Sequence, residues 1–230
     1  MRFNKYNLVA RVYPAILCSL PILVLNFFFL NTYTGEFLSS IEGYKWVGGI
    51  AFSAVLIYLL AQISRFIGKE FFEKINFSDE LNMPTTQLLL HSDKTYSSEQ
   101  KLNIHSKIAS DFNMNVCTIE QESLDEIGAR RILVDCVSLI RGKVKDGRLL
   151  LQHNIEYGFV RNLIGGSVVA VFVAIFNIVL FGYFLEELLP FYISLFLAIT
   201  YLLIVMFGRK IIQRYGLRYA KILIQEYLLS

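Results

Sequence analysis

The sequence predicts an α-helical membrane protein with four transmembrane helices in two hairpins and a small cytoplasmic α/β or α+β domain inserted between them. Three observations predict it. Of 230 residues, 55% are hydrophobic and only 18% charged, with mean hydropathy +0.50, whereas a soluble domain carries about a quarter charged residues. The excess apolar residues gather in uncharged runs at 12–30, 47–63, 163–185 and 188–207. Cations crowd the ends of those runs on one side only.

Each run qualifies by length. A helix rises about 1.5 Å per residue, so each run reaches roughly 25–35 Å, against a hydrocarbon core near 30 Å. The first run follows Arg2, Lys5 and Arg11 and is too long for a secretory signal; the stretch after it holds no small-x-small cleavage pattern. The loop 31–46 carries Glu36, Glu42 and one cation, Lys45, and the link between the last two runs carries Glu186 and Glu187 and no cation. The opposite ends carry Arg65, Lys69 and Lys74, then Arg141 to Arg161, then Arg209 to Lys221. Positive charge stays inside, so both termini and the middle are expected in the cytoplasm. The expected boundaries are 1–65 for the first hairpin, 66–162 for the cytoplasmic domain, 163–207 for the second hairpin and 208–230 for a basic amphipathic tail.

Within the runs, Pro14 and Pro21 bend the first helix. Asn26 and Asn177 are amides in apolar surroundings; they line a pore, bridge helices, or serve a carbonyl that proline leaves free. Gly166, Ala170 and Ala174 repeat at i, i+4 and i+8 and let helices pack closely, within one chain or between copies of a homo-oligomer. No Asp, Glu, Lys, Arg or His lies deep in a run, which argues against a proton-coupled transporter.

In the middle, Thr85 to His91 and Asn113 to Ile119 read as short strands. Ser97 with Gln100 opens a helix whose apolar face is Leu102, Ile108 and Phe112. Ser123 with Glu126 opens another that buries Ile127, Leu133, Cys136, Leu139 and Ile140. The tail alternates Ile211, Ile212, Tyr215, Tyr219, Ile222 and Leu223 with Arg214, Arg218 and Lys221, and lies either on the anionic leaflet or on a protein surface.

Chemistry-bearing patterns are few. Cys18, Cys117 and Cys136 fit no metal spacing, and the scattered His91, His105 and His153 supply no ligand set. No phosphate-binding glycine loop is present. Neither metal, cofactor nor catalytic residue is expected, and the chain is not read as an enzyme. The densest cationic group, Arg130, Arg131, Arg141, Lys143, Lys145 and Arg148, is the candidate surface for a partner or for phosphate. Ser92, Asp93 and Lys94 form a second candidate ligand loop.

Two segments carry a resemblance. One is Pro84-Thr85-Thr86-Gln87-Leu88-Leu89-Leu90 with Ser92-Asp93. The other is Asp146-Gly147-Arg148-Leu149-Leu150 with Asn154, Tyr157-Gly158-Phe159, Arg161-Asn162-Leu163 and Gly165-Gly166. They resemble a bacterial family of small membrane proteins, similar to effectors of anti-phage defence systems paired with retron reverse transcriptases or cyclic-nucleotide signalling. The resemblance implies a multi-pass protein of the bacterial inner membrane, a toxin of abortive infection. Its cytoplasmic domain would be triggered by a reverse transcriptase with its nucleic acid, or by a nucleotide second messenger, and its helices would then permeabilise the bilayer. The rival readings are a non-conducting scaffold that anchors a soluble partner and a passive channel subunit.

Overall fold

The computed structural model describes residues 5–30, 49–78, 80–145 and 147–230, without the side chains of 30 and 49–52. The expected loop 31–46, Arg2 and the start of the second apolar run lie outside the described residues. Every element among the described residues is helical. In chain order these are α1 (Lys5–Cys18) and α2 (Leu20–Phe29), then α3 (Gly49–Ile67), which continues through π-helical turns at Gly68–Glu73 into α4 (Lys74–Phe77). They are followed by α5 (Pro84–Gln87), α6 (Ser98–Phe112), α7 (Ile119–Leu124) and α8 (Glu126–Lys143). Last come the two long helices α9 (Arg148–Phe184) and α10 (Leu188–Leu229).

Two corrections follow. Among the described residues α9 and α10 are long and apolar enough to cross a membrane, and α1 with α2 makes a third span only if the pair, bent by 41°, is counted as one. The expectation of four spans is therefore replaced by two, or at most three. An apolar run is not yet a continuous helix: the first run breaks at Ser19, just before Pro21, while Pro14 lies within α1, and the Ser19 hydroxyl donates to Ile16 O at 2.7 Å.

The α/β or α+β domain is also overturned, because the described residues contain no strand. Pro84 starts a helical turn after an extended Met83, and Leu88, Leu89 and Leu90 are all buried at 1% exposure. Consecutive burial needs cover on every side, not a two-faced strand. Asn113 ends α6 in the left-handed conformation (φ 52°), and the chain then runs without regular structure to Thr118.

The chain divides into two compact units, Met1–Phe72 with Gly158–Arg209, and Glu73–Tyr157 with Lys210–Ser230. The first packs Ala15, Cys18, Leu60, Ala61, Ala170 and Tyr201 together. Helices approach there on small residues. A Cβ on Gly166 would lie 2.6 Å from Ser64 Oγ and 2.7 Å from Cys18 Sγ, and one on Gly165 would strike the Ser64 and Gly68 backbone. The second unit is built around the tail: Ala220, Leu223, Ile224 and Tyr227 share a buried core with Leu88–Leu90, Ile104, Ile108, Leu133, Cys136 and Ile140. Glu226 fastens it further by accepting from Leu150 N–H at 3.2 Å.

Several expected faces differ in detail. Ser97 caps α6 through Gln100 N–H, as its spacing predicts, but Leu102 is 63% exposed while Lys101 and His105 are buried. A helix does open at Glu126, but Ser123 is not its cap: Asp125 caps α8 at Gly128 N–H, and Thr118 with Gln121 caps α7. Ile127 and Leu139 point outward, and Ala129 and Val137 take their places in the core.

Candidate functional site

In the first unit, polar side chains answer a problem that proline creates. Proline has no N–H, so the carbonyl four residues before it loses its helical donor. Pro14 frees Ala10 O, and the buried Asn162 donates to it through Nδ2 at 2.6 Å. Pro21 frees Leu17 O, and the Tyr201 hydroxyl donates to it. Asn177, wholly buried, donates to Pro21 O at 2.8 Å. Of the two amides singled out from the sequence, Asn177 thus secures a helix junction, whereas Asn26 is exposed on α2. Ala170 and Ala174 are buried beside Gly166 on the same face of α9.

The second unit replaces the missing strand ladder with ionisable side chains. Backbone groups sealed from water need partners. The loop Leu89–Asp93 finds them on α6 and α7. Lys101 Nζ donates to Leu90 O at 2.6 Å, to His91 O at 3.2 Å and to Asp93 O. His105 Nε2 donates to Leu89 O at 2.7 Å. Glu122 accepts His91 N–H at 2.7 Å and Ser92 N–H at 2.9 Å. His91 Nε2 donates to Cys117 O at 2.9 Å, and its ring meets His105 edge-on at 4.6 Å. Lys101, His105 and Glu122 are all at least nine-tenths buried.

Burial sets the electrostatics. It pulls the Lys101 ammonium below its ordinary pKa against the pull of Asp93 and Glu122. It pulls His105 down as well, helped by His91 and Lys101. Burial pushes the Glu122 carboxyl up, but the His91 and Ser92 bonds outweigh it and hold the group below the usual carboxylate range. The cluster therefore holds a loop in place with its hydrogen-bonding capacity engaged. It opens to solvent at its edge, where His91 and Glu122 line a cleft of about 260 Å³ with Ile119 and Glu126.

Three members of the cationic group singled out from the sequence engage separate partners. Arg130 holds Glu126 at 2.7 Å and Leu81 O at 2.9 Å. Arg141 reaches Glu80 at 3.2 Å, with Met83 Sδ and Thr85 Oγ1 alongside. Lys143 binds Asp111 at 2.6 Å, keeping that carboxyl below its ordinary value, and lies over the Tyr227 ring. Arg131, Lys145 and Arg148 are exposed. In the candidate loop, Asp93 turns back on Thr95 N–H at 2.8 Å and Lys94 is exposed.

Sequence reasoning missed Lys101, His105 and Glu122. The signal for two of them was present: 101, 104, 105 and 108 share one helical face, so the Ile104 and Ile108 stripe carries Lys101 and His105 inward with it. No group of three or more His, Cys, Asp or Glu suited to a metal occurs among the described residues. Burial pushes the Cys136 thiol up to about 11, which leaves it inert as a nucleophile.

Among the described residues the fold is helical throughout, and two of its helices are long and apolar enough to cross a membrane. Comparison with family profiles, with curated proteins and with solved structures finds no match.

Proposed function

We propose that the chain is a membrane effector: a partner engages the unit containing the Lys101 cluster, and the apolar helices answer by permeabilising the bilayer. One observation carries this reading. α9 and α10 each run unbroken from residues of the apolar unit into residues of the other, and α10 supplies both Tyr201 to one core and Tyr227 to the other. A ligand that binds two arrangements of those helices with different affinity shifts the balance between them. The cation-rich flanks support a cytoplasmic position for the water-facing unit, with Glu186 and Glu187 on the far side.

The resemblance to anti-phage effectors supplies the trigger in this proposal, a reverse transcriptase with its nucleic acid or a nucleotide second messenger, and the inner membrane as the target. The test is dye entry into induced cells, with a variant lacking residues 163–207 as control. Entry with the full chain and none with the control is the expected result; intact membranes under triggering conditions reject the proposal. Reporter fusions after residues 120 and 187 test the orientation.

A second reading, a non-conducting anchor for a soluble partner, is favoured by one feature. Asn162 and Asn177 are wholly buried and donate to backbone carbonyls between helices, which is the geometry of helix packing. An anchor tolerates replacement of its apolar helices by unrelated ones; a permeabilising effector does not.

A further inference from the structure

Two surfaces of the water-facing unit stand out for what they expose. Around α7, Leu102 is 63%, Ile119 68% and Leu124 87% exposed. Leu102 and Ile119 share the rim of one open cleft of about 500 Å³ with Glu120. Single exposed apolar residues are ordinary, but a cluster beside a cleft marks a contact surface. Its exposed charge is acidic: Glu120, Asp125 and Glu126 border it, with no lysine or arginine among residues 117–126, while Glu122 is buried on the loop and Glu126 is shared with Arg130.

The second surface is the outer stripe of α10. Lys210, Arg214, Arg218 and Lys221 are exposed at intervals of three and four residues, with Leu217 39% exposed between them. No acidic residue interrupts 209–225, and Glu226 is turned to Leu150. One surface is apolar with an acidic border, the other basic with an apolar centre. They belong to different elements of the same chain.

We propose that the acidic, apolar face of α7 in one copy docks the basic stripe of α10 in the next. Complementary charge sets the register and speeds encounter, and Leu124 and Ile119 against Leu217 provide the apolar contact. Because the two faces differ, the contact is head-to-tail: each added copy leaves one face free, and the assembly grows, into a ring where the rotation between copies closes and into a filament where it does not. The inference deepens the membrane-effector reading, on which the assembly's role at a bilayer rests, by naming a second copy as the partner. Assembly and dye entry are measured separately, so either can fail alone.

The experiment weighs the purified full chain in detergent by light scattering with the detergent mass subtracted. Wild type is expected above monomer mass, and Ile119→Ser with Leu124→Ser, or Arg214→Gln with Arg218→Gln, each reduces it to monomer. Mixing the two variants restores one intact contact, so the mixture gives a dimer and nothing larger. Circular dichroism checks that each variant remains helical. If one does not fold, wild type alone decides, since its mass must fall as salt rises from about 50 to 500 mM and screening shortens. A monomeric wild type, variants of unaltered mass, a mixture that stays monomeric, or a salt-insensitive mass overturns the proposal. So does a stripe variant that loses binding to vesicles containing phosphatidylserine while keeping its mass, which would assign the stripe to lipid.

Discussion

In the unit built from residues 1–72 and 158–209, backbone carbonyls left without helical donors are met by neutral groups, the Asn162 amide and the Tyr201 hydroxyl. In the unit built from 73–157 and 210–230, carbonyls and amides of a loop are met by Lys101, His105 and Glu122. Both units solve the same problem, buried backbone without regular partners. Helices long and apolar enough to cross a membrane run through the first unit, and hydrocarbon favours neutral donors. An ionised group in hydrocarbon costs several kcal/mol before it makes any contact, whereas a water-facing unit can hold a charge provided each of its hydrogen bonds is made. Charged substitutes are stronger and hold a loop more firmly. They also tie that loop to pH, which the amide and hydroxyl do not.

This contrast can be broken by substitution. Lys101→Met leaves three carbonyls and Glu122 without their cation; we expect a loss of about 3 kcal/mol in thermal unfolding of the purified full chain. A loss under about 0.5 kcal/mol, the range of ordinary surface changes, would show that the cluster holds nothing together. Gly165→Val forces α9 away from the Ser64 and Gly68 backbone and costs about 2 kcal/mol by overpacking, read in the same assay. Asn162→Leu and Tyr201→Phe each orphan one carbonyl at about 1 kcal/mol. Losses equal to that of Lys101→Met would erase the distinction between neutral and charged substitutes.

The pH response sharpens it further. His105 titrates below its ordinary value near 6.5, so around that pH the unfolded chain binds more protons than the folded one. Stability therefore rises with pH through this window and falls in acid. Glu122, also depressed, adds stability above the ordinary carboxylate range that is lost as pH falls through its folded value. Unfolding midpoints measured between pH 5 and 8 should climb, and His105→Gln should flatten the climb; an unchanged slope would remove His105 from the account. The smallest effect belongs to the exposed Arg131, where alanine should shift stability by no more than about 0.5 kcal/mol.

What the sequence by itself determined is the part governed by composition and local pattern. The apolar runs of α9 and α10, the bend before Pro21, the small-residue face of Gly166, Ala170 and Ala174, and the Ser97 cap all follow from near-neighbour rules. What only the tertiary structure decided is the identity of each partner. The run Thr85–His91 looks like a strand because β-propensity sees side chains, while a ladder needs a neighbouring backbone, and this loop is answered by Lys101, His105 and Glu122 instead. The basic tail reads as a surface helix from its cations, yet Leu223, Ile224 and Tyr227 lie in the core because Leu133 and Ile140, distant in sequence, cover them. The six cations of residues 130–148 read as one site because they are close along the chain, and folding gives Arg130, Arg141 and Lys143 separate carboxylates. Pairing of this kind depends on distances in space, and spacing along the chain does not carry them.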